Sequence, residues 1–599
     1  MTAEQLKQLE DNLWQAADKL RVDSDLKASE YSTPVLGLIF LRFASIRYNK
    51  IKPEIRAELE AQKNSRRQRA EAEIALEKCG FYLPPEAEYE YLLNLPEQAE
   101  IDKAIKRAME LIEQYKPELK DTLPKDEYFR LTRGDDKSLP KTLLKIFADI
   151  PEDATGDVFG KIYEYFLGAF ALNEGQGGGE FFTPTSVVRL MVEIIEPYRG
   201  TLFDPACGSG GMFVQSSEFV DRRRAELHDT DTKDLMVYGM EKTLETVKLA
   251  KMNLAVNGLR GEIKQANTYY EDPFDSYERF DYVLANPPFN VDDVNLDRVK
   301  NQPRFNAYGI PQNKSKSSSK KNADINTVPN ANYLWINLFA TALKAGGRAG
   351  LVMANSASDA RHSEADIRRN LIRSGLIDVM VTLPKNMFYT VTLPATLWFF
   401  HKEPGEPRVL FIDARNIFRQ VTRALREFTD EHIQNIATIV RLYRGENQRL
   451  AELLDHYRAQ AADYRRQAEA QAKRLARLPD TNGNRRDKNL EEAEAKLRNL
   501  QERAQYFDEQ IDWLQERFPD GVYEDVTGLC KAATLAEIEE QDWSLNPGRY
   551  VGVVIEEDGL TEAEFLEEMK QAHADLQALH IKAHDLEKLI QKNLKTMVE

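Results

Sequence analysis

The stretch Leu202-Phe203-Asp204-Pro205-Ala206-Cys207-Gly208-Ser209-Gly210-Gly211 decides the fold of this chain. A short apolar run ends in an acidic residue and passes into a glycine-rich turn, the pattern at the first strand–loop–helix junction of many nucleotide-binding α/β sheets. Glycine at 208 and 210 lets the backbone turn tightly and approach a ligand that a side chain would exclude. The stretch therefore predicts an α/β fold with a cofactor loop at the end of a strand.

The region around this stretch, residues 151–420, alternates short apolar runs with amphipathic helices. This alternation predicts a mostly parallel, Rossmann-like sheet with helices on both faces. The strands are expected at 201–203, 235–240, 282–285, 349–354, 377–383, 395–400 and 409–412. Inside this domain, residues 306–332 are rich in serine and lysine, which predicts a mobile surface loop.

Helical patterns flank the predicted sheet on both sides. Residues 1–150 place apolar side chains at three- and four-residue spacing, which predicts an all-helical N-terminal domain. Residues 421–530 contain two apolar seams joined by a Pro-Asp-Thr-Asn-Gly turn, which predicts an antiparallel helical hairpin. Residues 531–599 are expected to form a C-terminal segment and a terminal helix, whose apolar stripe packs either within the chain or on another subunit.

Composition and charge restrict the class of protein. The chain has 599 residues and a formal net charge of -17, which argues against a protein that binds long nucleic acid unaided. Its three cysteines show no paired spacing, and no apolar run of membrane-spanning length or signal peptide is apparent. We therefore expect a cytoplasmic protein without a membrane partner, in which any DNA contact uses local basic patches or a basic partner.

The glycine-rich turn predicts binding of S-adenosylmethionine. No Lys-Ser or Lys-Thr follows the glycines, which argues against a phosphate-binding P-loop. Carboxylate and carbonyl oxygens suit the positive sulfonium and the amino group of S-adenosylmethionine. In the turn, the predicted cofactor ligands are Asp204, Ala206, Gly208, Ser209 and Gly210. Glu241 is predicted to accept hydrogen bonds from the ribose hydroxyls, and Asn267 to bond the adenine amino group.

The sequence Asn286-Pro287-Pro288-Phe289 follows the apolar run at 282–285 and predicts the catalytic loop. An aromatic amine is a poor nucleophile because its lone pair is delocalised into the ring. Two acceptors, the Asn286 side-chain oxygen and the Pro287 carbonyl, would turn that lone pair towards a methyl group, and the two prolines would fix the backbone. Phe289 would stack on a base that has left its duplex.

Two other kinds of chemistry receive little support from the sequence. Cys207 lies inside the glycine turn without a catalytic-looking histidine nearby, so it is interpreted as a small packing residue. The eight histidines show no metal-ligand spacing, and no catalytic metal is expected.

Taken together, these motifs resemble the modification (M) subunit of a Type I restriction-modification system, an N6-adenine DNA methyltransferase. The resemblance runs from Leu13–Arg21 and Tyr31–Phe43, through the loops named above and Ala331–Ile336, to Trp543–Val551. It implies that a separate specificity (S) subunit reads the DNA sequence, usually in an assembly of two M with one S. Restriction (R) subunits would add ATP-driven cleavage.

The resemblance also bears on residues before and after the glycine turn. It implies that Phe182 and Thr183 line the methionine end of the cofactor, although Thr183 is equally plausible as a helix cap. Asn267 stands where relatives often carry aspartate, and the stretches at 306–332 and 450–518 are longer than the resemblance implies.

Three alternatives remain open at this stage. The same pair of acceptors, Asn286 and Pro287, would also bind the N4 amine of cytosine or the side-chain amide of a protein glutamine. Phe289, where glutamine enzymes usually carry tyrosine, and the helical flanks favour adenine in DNA. A non-catalytic assembly subunit is the third alternative, and the intact Asp204, Gly208, Asn286 and Phe289 count against it.

Overall fold

The structure is a computed structural model. It describes residues 3–23, 28–63, 68–96, 98–132, 138–152, 156–174, 183–227, 235–312, 326–388, 394–403, 407–422, 425–476, 488–553 and 562–598. The chain divides into two compact units, Met1–Val551 and Gly552–Glu599. Within these described ranges, no helix is long and apolar enough to cross a membrane.

The N-terminal part of the first unit is helical. Buried aromatic and aliphatic side chains of these helices share one apolar core, to which Met252 and Val256 from residues 151–420 also belong. The helices are α1 (Ala3–Asp23), α2 (Ala28–Ala61), α3 (Glu71–Cys79), α4 (Tyr89–Leu93), α5 (Ile101–Tyr115), α6 (Tyr128–Leu131), α7 (Leu139–Ala148) and α8 (Gly156–Glu174).

A nine-stranded sheet forms the centre of this unit, and a separate two-stranded ribbon lies outside it. The strands are β1 (Gly200–Asp204), β2 (Leu235–Glu241), β3 (Gly261–Gln265), β4 (Phe280–Ala285), β5 (Leu343–Ala354), β6 (Ile377–Thr382), β7 (Ala395–His401), β8 (Arg408–Asp413), β9 (Arg419–Thr422), β10 (Leu425–Glu427) and β11 (Cys530–Thr534). The order in the large sheet is β11-β8-β6-β7-β5-β4-β1-β2-β3. Strand β7 is antiparallel to both its neighbours and β11 is antiparallel to β8, whereas the remaining pairs are parallel.

Helices cover both faces of the sheet, and each face has its own apolar core. They are α9 (Thr185–Ile195), α10 (Gly211–Leu227), α11 (Leu244–Val256), α12 (Leu296–Val299), α13 (Pro303–Asn306), α14 (Asn332–Ala342), α15 (Ser363–Arg373), α16 (Asp430–Tyr443), α17 (Gln448–Leu475), α18 (Lys488–Arg517) and α19 (Leu535–Glu540). The predicted α/β class, with a mostly parallel sheet, is confirmed.

Two strands of the large sheet were not expected from the sequence. Strand β3 buries only Ile263, because it lies at the edge of the sheet, so its apolar pattern is weak. Strand β11 is a short run rich in small residues that pairs with β8 from Cys530↔Ile412 to Thr534↔Arg408. Its position depends on that pairing rather than on local periodicity.

Helices α17 and α18 pack along the two apolar seams seen in the sequence. Leu454, Tyr457 and Ala461 are buried on one helix, and Phe507 and Leu514 on the other. Gln471 interrupts the first seam, and its amide nitrogen donates to the carbonyl of Ala493 at 3.1 Å. The polar side chain is therefore satisfied inside the seam.

Buried ion pairs join α16 to the C-terminal end of α9. The guanidinium of Arg441 on α16 donates to Glu193 on α9 at 2.7 Å and to Glu196, just after α9, at 3.0 Å. All three side chains are buried. Burial alone raises the pKa of Glu193, but the guanidinium groups of Arg441 and Arg222 beside its carboxylate bring that pKa below its ordinary value. These contacts fix α16 against α9.

The second unit contains α20 (Glu562–Val598). Along its described side chains, large apolar residues are more than half exposed at Met569, Leu576, Leu579, Leu586 and Ile590. Residues 313–325, within the predicted serine-lysine loop, lie outside the described residues.

Candidate active site

The predicted site residues follow the ends of four parallel strands. Strands β1, β2, β3 and β4 all run in the same direction, so their carboxyl ends meet at one edge of the sheet. Asp204 ends β1 and Glu241 ends β2. Asn267 lies two residues after the end of β3, and Asn286 directly follows β4. The topology thus brings the glycine turn and the Asn-Pro-Pro-Phe loop to the same edge.

The glycine turn has the backbone conformation that its sequence predicts. Gly208 and Gly210 adopt φ of +50° and +85°, the left-handed region that favours glycine. A Cβ on Gly208 would meet none of the described residues within 4 Å, so space lies beside the backbone at this point. The turn is therefore a cradle that leaves room for a ligand against its main chain.

Hydrogen bonds hold this turn from three sides. Asp204 Oδ1 accepts from the Ala206 backbone N–H at 2.9 Å, and the Cys207 N–H donates to the Met240 carbonyl at 3.0 Å. The side chain of Asn253, on α11, donates to the Ser209 carbonyl at 2.9 Å. These three hydrogen bonds fix the backbone of the glycine turn.

Asp204 and Cys207 are both buried beneath the turn. Burial raises the pKa of Asp204 well above its ordinary value, and the nearby Glu241 carboxylate raises it further. Burial likewise raises the pKa of the Cys207 thiol, which disfavours the thiolate that a nucleophile needs. Cys207 belongs to the apolar core on that face of the sheet, in line with a packing role.

Glu241 connects β2 with the glycine turn. Its Oε2 accepts from the Gly208 N–H at 3.2 Å, and its Oε1 accepts from the Thr243 N–H at 2.9 Å. A carboxylate oxygen has two lone pairs, so each keeps one acceptor position for an approaching hydroxyl. Asn267 has a similar arrangement, because its Oδ1 accepts from the Tyr269 N–H at 3.2 Å and retains a second lone pair.

The Asn-Pro-Pro-Phe loop contains a buried acceptor with no partner among the described residues. Asn286 Nδ2 donates to the Thr183 hydroxyl at 2.9 Å, whereas Asn286 Oδ1 is buried and accepts no hydrogen bond from the part of the chain that the structure describes. A buried unsatisfied oxygen is costly, and such atoms in native proteins usually await a ligand or water. Thr183 therefore orients the amide so that its oxygen, and not its nitrogen, remains for a donor.

The rest of the loop is packed between the two faces of the sheet. Pro287 is buried, and the half-buried ring of Phe289 contacts the apolar cores of both faces. Phe182, which the family resemblance assigns to the methionine end of the cofactor, lies outside the described residues. Among the residues that the structure does describe, no group of three or more potential metal ligands occurs.

Several supporting residues were missed by sequence reasoning. Asn253 supports the glycine turn, and Glu164 accepts from the Thr185 hydroxyl at 2.9 Å, two residues after Thr183. Asn290 and Asn332 hold the end of the catalytic loop through paired amides. Of these, only Asn332 had a signal, as part of the stretch at 331–336 that resembles the family.

Comparison with known families decides between the alternatives. A family model described as N-6 DNA Methylase matches residues 154–474, more than half of the chain. The chain belongs to the N-6 DNA methylase family. A second model, the HsdM N-terminal domain, matches residues 9–150 of this methylase.

Curated relatives place this N-6 DNA methylase among Type I restriction enzymes. It is 32% identical to the MjaIX methylase subunit of Methanocaldococcus jannaschii over 96% of this chain and 88% of the relative. It is 31% identical to the HindI methylase subunit of Haemophilus influenzae over 73% of this chain and 78% of that relative. The chain is thus a Type I methylase subunit with an adenine-specific DNA methyltransferase domain, and the resemblance noted in the sequence is confirmed.

A solved structure supports the fold of this methylase. The type I restriction-modification methyltransferase subunit from Streptococcus thermophilus superposes with a TM-score of 0.65 over 92% of this chain and 100% of that chain. Sequence identity between the two is 19%, so this comparison bears on the fold alone.

Proposed function

We propose that this methylase subunit binds S-adenosylmethionine at the glycine turn and holds an adenine, extruded from DNA, against the loop Asn286–Phe289. The observation that carries the proposal is the buried Asn286 Oδ1, which has no hydrogen-bond partner among the described residues. It lies on the loop that follows β4, at the sheet edge shared with the glycine turn. An exocyclic N–H of adenine is the kind of donor that this oxygen requires.

The chemistry of the loop follows from its two acceptors. Asn286 Oδ1 and the Pro287 carbonyl accept the two N–H bonds of the amine, which localises the nitrogen lone pair. Phe289 stacks on the base. The two proline rings restrict the backbone, so the acceptors are in place before the base binds. The protein contributes position and electrostatics to the reaction, with no covalent intermediate on the enzyme.

The residues at the neighbouring strand ends fit S-adenosylmethionine, which supplies an electrophilic methyl group when bound. The turn of Asp204, Ala206, Gly208, Ser209 and Gly210 provides backbone access and oxygen ligands. Glu241 offers one lone pair on each carboxylate oxygen to the ribose hydroxyls, and Asn267 Oδ1 accepts from the adenine amine. Phe182 and Thr183 line the site around the methionine end of the cofactor.

Partners follow from membership of the Type I family and from the terminal helix. We propose that DNA is bound together with a specificity (S) subunit, two M per S, and that a restriction (R) subunit joins this assembly in the cytoplasm. The exposed apolar residues of α20 are suited to bury against S-subunit helices, since such a stripe is unfavourable in water. We also retain the division into 1–150, 151–420, 421–530 and 531–599 as functional regions.

Nucleoside mass spectrometry tests this proposal. The chain would be expressed with its S subunit in a host free of DNA methylation, as wild type and as Asn286→Ala. New N6-methyladenine that disappears in the variant is the expected result. N4-methylcytosine would identify the other base, and unmethylated DNA despite an intact complex would favour a protein glutamine substrate or an assembly role.

A second measurement separates chemistry from binding. Isothermal calorimetry should show S-adenosylmethionine binding to Asn286→Ala within a few-fold of wild type, because Asn286 faces the base. Lost cofactor binding in this variant would contradict the role assigned to Asn286. Glu241→Gln is the matched comparison, since it should weaken cofactor binding while leaving the clamp intact.

A further inference from the structure

The residue after the catalytic loop has an unusual backbone conformation. Asn290 adopts φ of +56°, in the left-handed region that few residues other than glycine, asparagine and aspartate occupy. It follows Phe289 directly, so its conformation sets the direction in which the chain leaves the stacking residue. Some interaction must compensate for this conformation in the folded protein.

Asn332 supplies that interaction through a reciprocal pair of hydrogen bonds. Its Oδ1 accepts from the Asn290 backbone N–H at 2.8 Å, and its Nδ2 donates to Asn290 Oδ1 at 3.0 Å. The two residues are 42 positions apart in the sequence. The amide supplies the acceptor and the donor on separate atoms, whereas aspartate would lack the donor and leucine would lack both.

The surroundings of Asn332 make it a rigid support. It is the first residue of α14, it is 3% exposed, and every residue of α14 is buried. Asn330 adds a second donor to Asn290 Oδ1 at 3.1 Å, and its own Oδ1 accepts from the Asn332 N–H at 2.9 Å. The Ala331 N–H donates to the Val291 carbonyl at 2.8 Å, which ties the two segments together beyond the side chains.

Asn332 thus connects a buried helix to the residue that follows Phe289. We propose that Asn332 is a positioning residue for methyl transfer, which locks Asn290 in the left-handed conformation and thereby fixes Phe289 and the two acceptors before it. This rests on the proposed function of the loop. Asn332 itself touches neither the base nor the cofactor in this scheme and acts only through Asn290.

Kinetics of Asn332→Ala in complex with the S subunit test the proposal. The expected result is a fall in the single-turnover rate of adenine methylation on the order of ten-fold or more, because small misplacements of reacting groups are costly. Affinity for S-adenosylmethionine should stay within about three-fold, since the glycine turn is untouched. Asn370→Ala is the matched control, because it removes the hydrogen bond that an asparagine side chain donates to the Tyr308 carbonyl at 3.0 Å, away from the loop.

Substitutions at Asn290 keep the proposal testable even if Asn332→Ala folds poorly. Asn290→Gly tolerates a positive φ and retains the N–H that Asn332 accepts from, so it should methylate within about three-fold of wild type. Asn290→Ala should be slower than Asn290→Gly, on the order of ten-fold, because a Cβ disfavours the left-handed region. Equal rates for these two variants, or a wild-type rate for a folded Asn332→Ala, would overturn the positioning role.

The outcomes also distinguish this inference from the function on which it rests. If wild type forms no N6-methyladenine, the proposed function fails. If wild type is active and the Asn290 and Asn332 variants match it, only the positioning role fails.

Discussion

The hydroxyl of Thr183 accepts a hydrogen bond from Asn286 Nδ2 at 2.9 Å, although the two residues lie 103 positions apart in the sequence. The bond uses one of the two Asn286 Nδ2 donor hydrogens and leaves the buried oxygen for a ligand. An unrestrained amide would present oxygen and nitrogen about equally, and only the oxygen accepts an amine proton. Thr183 thus determines which end of the Asn286 amide remains available to a ligand.

Replacing Thr183 tests this relationship. Thr183→Val removes the acceptor, so the Asn286 amide is no longer oriented, and we expect kcat to fall on the order of ten-fold, the size of one lost hydrogen bond. Thr183→Ser keeps the hydroxyl and should remain within about three-fold of wild type. Steady-state methylation of a DNA duplex by the complex with the S subunit measures both, and equal kcat values for the two variants would contradict the assignment.

Gly208→Ala should weaken cofactor binding. A Cβ at φ of +50° costs about 1–2 kcal/mol and would distort the cradle, so we expect the Kd for S-adenosylmethionine to rise roughly ten-fold. Gly445→Ala is the control, because Gly445 also has a positive φ, +83°, with nothing within 4 Å of a Cβ, but lies between α16 and α17. The control should lose comparable stability in a thermal melt while its Kd, measured by calorimetry, stays unchanged.

The stability of the region around Thr185 should depend on pH through Glu164. Burial raises the pKa of this carboxyl to about 7 from its ordinary 4.5. Folding therefore favours the protonated form, and its contribution to stability is complete below pH 4.5 and is lost as the pH rises through about 7. Glu164→Gln mimics the protonated form, so its advantage in unfolding free energy over wild type should grow by roughly 2 kcal/mol between pH 5 and 8.5. A constant difference across that range would show that Glu164 does not titrate as described.

Removing Arg441 should destabilise the packing of α16 on α9. Arg441→Ala leaves Glu193 and Glu196 buried without this cation, and breaking a buried ion pair from one side costs about 3–5 kcal/mol. Arg458→Ala breaks an exposed pair with Asp455 at 2.8 Å and should change stability by less than about 1 kcal/mol. Chemical denaturation measures both values, and similar losses in the two variants would contradict the importance of burial.

The apolar stripe of α20 should be needed for assembly with the S subunit. Leu576→Glu combined with Leu579→Glu places two charges on the stripe, and we expect the complex to dissociate during gel filtration because those charges would be buried. Ala574→Glu combined with Gln577→Glu adds the same charge away from the stripe and should leave the complex intact. A stable complex of the first variant would exclude this helix as the S-binding surface.

The sequence predicted much of the fold because the relevant signals are local. Strands β1, β2 and β4 are compact apolar runs that end at Asp204, Glu241 and Ala285, and each was placed within one or two residues. Strands β3 and β11 were missed, since an edge strand with one buried residue and a short run of small residues carry little periodicity. Their place in the sheet comes from pairing with distant strands.

The same distinction applies to the candidate site. By itself, the sequence determined the glycine turn, the Asn-Pro-Pro-Phe loop and their common edge, because glycine, proline and strand-end residues restrict the backbone wherever they occur. Only the tertiary structure decided which neighbours hold these residues, namely Thr183 on Asn286 and Asn332 on Asn290. Hydrogen bonds between segments 42 and 103 residues apart depend on how helices pack on the sheet, and no local pattern records that packing.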